Sequence, residues 1–188
     1  KITLDKHIPV AAGMAGGSSN AAAVLFGINR MFSLGLSQKE LMERGVTLGA
    51  DVPYCVLGGT AIARGIGEVL TPLPAPVDCH VIIAKPPVSV STAYVYGHIK
   101  PLEITKRPDI EAMAQSIKDG DLKKMASLIY NVMEDVTVVE YPIISEIKQV
   151  MLDNGALNSI MSGSGPTVFG LFDDKEKAQQ CVKTLEEK

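Results

Sequence analysis

The stretch GMAGGSSNAAA (Gly13–Ala23) constrains the fold more than any other part of the chain. Three glycines and two serines lead directly into small helix formers, and Val24, Leu25, Ile28, Met31 and Phe32 then recur at helical spacing. The spacing predicts a helix over about 20–34, stopped at Gly35 and capped by Ser18 or Ser19. A flexible loop feeding a helix N-terminus collects unpaired N–H groups at the positive end of the macrodipole, which suits a phosphate. The competing reading is a plain tight turn with a serine cap. The loop is neither a Walker A sequence, since no Gly-Lys-Ser/Thr follows, nor a G-x-G-x-x-G fingerprint.

Around this loop the pattern is α+β. Residues 2–10 read as a strand, and Ser37 with Glu40 forms a capping box for a second helix running to about Leu48 and ended by Gly49. GADVP (Gly49–Pro53) reads as a turn, because Pro53 biases Val52 away from helix. TAIAR and EVLTPL flank Gly65–Gly67 as a hairpin, and PLPAPVD (72–78) is the best linker, dividing the chain into domains 1–76 and 77–188. HVIIAK then predicts a buried strand running into PPVSVSTAYVYG. Asp109, Asp121 and Pro142 each open a helix, and Gly155 closes the third. NSIMSG and TVFGLF form two strands around the turn Gly163-Ser164-Gly165, and residues 174–187 form a last amphipathic helix.

Composition narrows the function classes. At 188 residues and 46% hydrophobic content the chain can bury a sizeable core, and 5% aromatics makes that core aliphatic. A net charge of −3, with no basic run, offers no footprint for nucleic acid or a membrane surface. No apolar run reaches the ~18 residues of a membrane span. Cys55, Cys79 and Cys181 lack paired spacing, which predicts free thiols in a reducing, cytoplasmic setting. A lone Asp51 in a constrained turn is ambiguous by itself, as is a glycine-rich turn between two strands.

Taken together and in order, PVAAGMAGGSSNAAA, VTLGADVPY and MSGSGPTVFGLF resemble the motifs of the GHMP kinase superfamily of small-molecule kinases. GGSSNAAA, VTLGADVPY and KPPVSVSTAYVY are similar to the branch acting on a cytidyl-diphosphate-linked methylerythritol in non-mevalonate isoprenoid synthesis. The resemblance runs from Ile8 to the final helix. It implies a partial ribosomal-protein-S5-like N-terminal domain and a ferredoxin-like C-terminal domain. It also implies ATP and Mg²⁺ as cofactors, with phosphoryl transfer to the 2-hydroxyl of that small-molecule substrate by a cytoplasmic monomer or homodimer.

By the same resemblance, Asp51 is the catalytic base. Pro9, Val10, Ala11, Ala12, Gly13, Met14, Ala15, Gly16, Gly17, Ser18, Ser19 and Asn20 cradle the ATP phosphates. Gly163, Ser164 and Gly165 shape the site around the transferred group, and Thr92 and Tyr96 bind the cytidyl diphosphate, with Tyr96 stacked on the base. The metal ligands stay unassigned. The alternatives are another GHMP kinase, of homoserine or mevalonate type, or a non-catalytic nucleotide-binding module. Beginning at Lys1 in what reads as mid-strand, the chain is expected to be N-terminally truncated. The family's N-terminal lysine and aromatic motif are then missing, so the fragment alone is expected to be inactive. Met14 and Ala15 replace the commoner Leu-Gly of the loop.

Overall fold

A computed structural model describes residues 1–7, 9–99 and 104–187. The chain divides into two units, Lys1–Val10 with Ala15–Ala75 and Ala11–Met14 with Pro76–Lys188.

The first unit holds α1 (Gly16–Met31), α2 (Gln38–Gly45), α3 (Val52–Leu57) and a hairpin of β1 (Thr60–Arg64) and β2 (Val69–Leu73). Apolar side chains at helical spacing bring Ala22 of α1, Leu41 of α2 and Val52 and Val56 of α3 into one buried cluster. The link from α1 to α2 is pinned by Asn29, whose Nδ2 donates to Leu36 O at 2.9 Å and whose Oδ1 accepts from Leu36 N at 3.0 Å. Ser37 and Glu40 form the expected capping box: Ser37 N donates to Glu40 Oε2 at 2.8 Å, and Glu40 N donates to Ser37 Oγ at 3.3 Å. The backbone N–H of Ser37, then its hydroxyl, hold the Glu40 carboxyl below the usual carboxylate range. The hairpin is antiparallel, with Thr60 opposite Leu73 and Arg64 opposite Val69.

Four expectations in this unit are corrected. Residues 1–7 and 9 carry no regular structure, and Ile8 lies outside the described residues. Alternation makes a strand only where a partner ladder exists, and no described strand pairs with this segment. Helix α1 starts at Gly16 rather than Asn20, which places Ser18 and Ser19 inside the first turn and excludes them as caps. Helix α2 ends at Gly45, short of Leu48, where a Cβ on Gly45 would lie 2.8 Å from Val52 Cγ1. GADVP is not an isolated turn. Val52 and Pro53 open α3, because the first turn of a helix does not need the N–H that proline lacks.

The second unit contains β3 (His80–Ala84), α4 (Thr92–His98), α5 (Ile110–Asp119), α6 (Leu122–Leu128), α7 (Glu134–Glu140), α8 (Ile143–Asp153), β4 (Asn158–Met161), β5 (Val168–Phe172) and α9 (Lys175–Glu186). Its sheet is antiparallel in the order β3-β5-β4, with Ile82 opposite Gly170 and Ile160 opposite Phe169. The succession strand, helices, strand, strand, helix is that of a ferredoxin-like unit up to its last helix. Ile144, Met151, Met161, Val168, Phe172, Ala178 and Cys181 fill the space between the sheet and α8 and α9. Asp109, Asp121 and Asp174 cap α5, α6 and α9, accepting from Ala112 N, Lys124 N and Lys177 N, each at 2.9 Å. Helices α4 and α7 were not expected. TAYVYGH and EDVTVVE are rich in β-branched and aromatic residues, and packing overrides that weak preference.

Candidate active site

The glycine-rich segment alternates in backbone hand. Ala11, Gly13 and Ala15 have φ of 51°, 71° and 48°, while Ala12 and Met14 between them do not enter the positive range. Such alternation turns successive N–H groups toward one concavity, the geometry of an anion nest. Two of these residues are alanines, which adopt this region only at a cost, and strain of that kind gathers at functional sites. Ala15 is the N-cap of α1 and supplies no side-chain cap, and no acidic residue lies in the first turn. Ser19 Oγ instead donates backwards to Gly16 O at 3.1 Å. The first turn of a 16-residue helix therefore has no capping side chain, an arrangement chemically suited to an anion. A Cβ on Gly17 would meet nothing within 4 Å. Pro9 and Val10 are exposed, Ala12 is buried, and Asn20 is half-buried in the following turn of α1.

Asp51 is the N-cap of α3, yet its carboxylate makes no capping hydrogen bond. It is exposed, at the end of a helix whose Val52 packs in the same cluster as Ala22 of α1. A Cβ placed on Gly49 would lie 3.9 Å from Ser18 Oγ, so the first turn of α1 and the approach to Asp51 are neighbours. One turn on, burial pushes the Cys55 thiol up, and the Asp51 carboxylate adds to that rise.

In the second unit the turn Ser162–Gly165 closes with Gly165 N donating to Ser162 O at 2.9 Å. Gly163 has φ of 57° and Ser164 does not share the positive range, the pattern of a type II′ turn. Gly13 belongs to this unit and lies against the turn: Ser162 Oγ donates to Gly13 O at 2.8 Å, and a Cβ on Gly13 would sit 2.2 Å from Ser162 O. No residue but glycine fits there. The Thr92 and Ser164 hydroxyls are hydrogen-bonded at 2.9 Å, which joins two residues implicated separately from sequence. Tyr96 is 60% exposed on α4, so it is not core filler, and Tyr94 packs on His98 with ring centroids 4.0 Å apart.

Sequence reasoning missed two residues here. Asn131 Nδ2 donates to Met161 O and to Gly163 O, each at 2.8 Å. Glu134 Oε1 accepts from Met161 N at 2.7 Å, and its other oxygen is paired with Lys148. The one available signal was a helix start, N-x-x-E before an apolar run, resembling a capping box with asparagine in the serine position.

Residues 1–59 match the family model of the GHMP kinases N terminal domain, and residues 112–188 match that of the GHMP kinases C terminal. The chain belongs to the GHMP kinase family. A curated GHMP-kinase relative, 4-diphosphocytidyl-2-C-methyl-D-erythritol kinase of Lachnoclostridium phytofermentans, is 57% identical over 96% of this chain and 62% of its own length. A crystal structure of 4-(cytidine 5'-diphospho)-2C-methyl-D-erythritol kinase is 30% identical, with a TM-score of 0.78 over 97% of this chain and 65% of its own. A homoserine kinase from Cytophaga hutchinsonii superposes with a TM-score of 0.80 at 22% identity, which shows the shared GHMP kinase fold alone. The chain thus spans less than two thirds of the length of the relatives it matches.

Among the described residues no helix is long and apolar enough to cross a membrane. Among the same residues no group of three or more His, Cys, Asp or Glu is placed to hold a metal ion.

Proposed function

We propose that the chain serves a cytoplasmic kinase that transfers the γ-phosphoryl group of ATP to the 2-hydroxyl of 4-diphosphocytidyl-2-C-methyl-D-erythritol. Its nucleotide-binding part is 1–76 and its C-terminal domain is 77–188. The observation that carries the reading is the uncapped N-terminus of α1 behind a left-handed glycine loop. The relative at 57% identity supports the choice of substrate where fold likeness cannot, since homoserine kinase superposes as well.

Phosphoryl transfer asks a protein mainly for positioning and for donors aimed at developing negative charge. Loop residues Pro9 to Asn20 hold the nucleotide phosphates, with the backbone N–H groups of Gly16 to Ser18 as donors, since the Ser19 N–H already donates to Ala15 O. ATP supplies the phosphoryl group, and Mg²⁺ neutralises charge on it. Asp51 accepts the proton of the substrate hydroxyl, a role open to a carboxylate that makes no capping bond. Gly163, Ser164 and Gly165 border the transferred group, Thr92 holds the diphosphate end, and Tyr96 offers its exposed ring to the cytosine face.

The test is steady-state transfer by the chain extended with the N-terminal segment its relatives carry, with ATP and 4-diphosphocytidyl-2-C-methyl-D-erythritol, and with homoserine and mevalonate as competing acceptors. Turnover of either competitor in preference overturns the substrate assignment. Asp51→Asn lowers kcat by about 10²–10⁴ with nucleotide affinity unchanged, as expected for loss of a general base. Near-normal turnover removes Asp51 from the chemistry.

A further inference from the structure

The Gly163 turn is held from outside by side chains that no motif contains. We propose that Asn131 and Thr137 are positioning residues that set the peptide planes of this turn and aim the Ser164 N–H at an anionic oxygen of a phosphoryl-bearing ligand. The inference rests on the proposed phosphoryl-transfer reading of the site.

The argument is one of peptide geometry. Across a trans peptide the C=O of one residue and the N–H of the next point in opposite directions. Asn131 Nδ2 takes Gly163 O at 2.8 Å, so the Ser164 N–H must point away from Asn131. Thr137 Oγ1, on a residue 1% exposed, lies 3.1 Å from Met133 O and 3.4 Å from Ser164 O, so its one proton is shared between them, and on the far side of the Ser164–Gly165 peptide the Gly165 N–H donates to Ser162 O. Ser162 O is thereby occupied, and the Gly163 N–H also faces outward from the turn. Neither the Gly163 nor the Ser164 N–H has a protein partner among the described residues, although Ser164 is only 6% exposed.

A buried N–H without a partner is rare in folded proteins and calls for an acceptor. Asn131 is itself oriented, since its Oδ1 accepts from Met133 N at 2.9 Å. Its amide therefore has one arrangement that uses both ends, with its nitrogen donating to Met161 O at the end of β4 and to Gly163 O in the turn. Glu134, paired with Lys148, fixes the strand end below by accepting from Met161 N. The carbonyls of Ser162 and Gly163, which flank the two outward N–H groups, are each taken by an internal donor.

Asn131→Asp keeps the acceptor for Met133 N and removes both donors, and Thr137→Val removes the hydroxyl at constant shape. Thr137→Ser restores it. Backbone ¹⁵N–¹H spectra of the chain are followed during titration with ATP and, separately, with cytidine 5'-diphosphate. In the unsubstituted chain the Ser164 amide moves downfield with one of these probes. In Asn131→Asp and Thr137→Val that movement falls to about half or less, and in Thr137→Ser it returns. In the transfer assay the first two variants lower kcat about tenfold or more while KM for ATP stays within about threefold, as for a misaligned transition-state donor. A Ser164 amide that ignores both probes, or variants that respond as the parent does, overturns the proposal. So does loss of activity in step with lost nucleotide-binding stoichiometry and thermal midpoint, which marks a purely structural role. If the Ser164 amide responds but no transfer is seen with the chain extended by the N-terminal segment its relatives carry, the kinase reading fails and this donor assignment stands.

Discussion

Gly17→Ala separates what the loop needs to fold from what it needs to bind. Gly17 is the second residue of α1, has an ordinary negative φ, and a Cβ there would touch nothing within 4 Å. Folding therefore gains from the substitution, by about 0.5–1 kcal/mol, because alanine loses less backbone entropy in a helix than glycine does. Nothing among the described residues stands in the way of a new methyl, so what it would obstruct is a ligand resting on the first turn. If phosphate lies there, ATP affinity falls about tenfold, or about 1.4 kcal/mol. The two effects predict a crossing. At ATP one hundred times the parent Kd, the parent gains about 2.7 kcal/mol from mass action and the variant about 1.4. That difference of about 1.3 kcal/mol exceeds the gain from alanine, so the variant is the more stable protein without ATP and the less stable one with it. Urea denaturation with and without ATP, together with a calorimetric titration, measures both. Curves that keep their order at saturating ATP, with unchanged affinity, refute phosphate contact at Gly17. Loss of stability in the ligand-free protein refutes the open space around it.

Gly13→Ala is the opposite case: a left-handed φ and a Cβ 2.2 Å from Ser162 O make it cost about 2 kcal/mol or more, and a loss under about 1 kcal/mol in denaturation refutes the close approach. Glu40 and Asp174 are held below the usual carboxylate range by their capping N–H donors, so the folded state binds their protons less readily than the unfolded chain does. Their stabilisation is present above the unfolded carboxylate values and is lost as pH falls through the folded ones. Glu40→Gln with Asp174→Asn keeps the acceptors and flattens the acid limb of the thermal midpoint against pH, and an unchanged limb counts against the caps as its source. Tyr96→Ala raises KM for the cytidyl-bearing substrate by about tenfold, within the ~1–3 kcal/mol of a stacked base, and leaves KM for ATP unchanged. Equal change in both removes Tyr96 from base recognition.

Much of the secondary structure was legible because local chemistry and packing agree. The Ser37–Glu40 box, the aspartates capping α5 and α6, and the apolar face of α8 are written in short windows and survive in the fold, whereas Val24, Ile28, Met31 and Phe32 of the expected α1 stripe are exposed. The failures are places where distant parts decide. Residues 2–10 alternate like a strand but have no described ladder to join. The β-branched runs of α4 and α7 become helices, with Val95 and Thr137 buried. In the candidate site, Asp51 and the loop are local features and could be seen. Asn131 could not, because its bonds to Met161 and Gly163 cross 30 and 32 residues of chain.

The glycines of the loop look equivalent in sequence, and the structure separates them by cause. Gly13 is required by the protein itself, since Ser162 O occupies the space where a side chain would begin. Gly17 is required by nothing in the described protein. A glycine with no steric or conformational reason in the ligand-free fold, placed where alanine would be the better helix former, carries information about something the fold does not contain. The left-handed alanines at 11 and 15 point the same way from the other side, because there a residue that would relax as glycine is held under strain. Ease of folding would exchange these residue types, with alanine at 17 and glycine at 15. Their actual placement is what the proposed phosphate site would require of a backbone wrapped around an anion, and that is why the loop speaks for phosphate more strongly in three dimensions than its glycine content does in one.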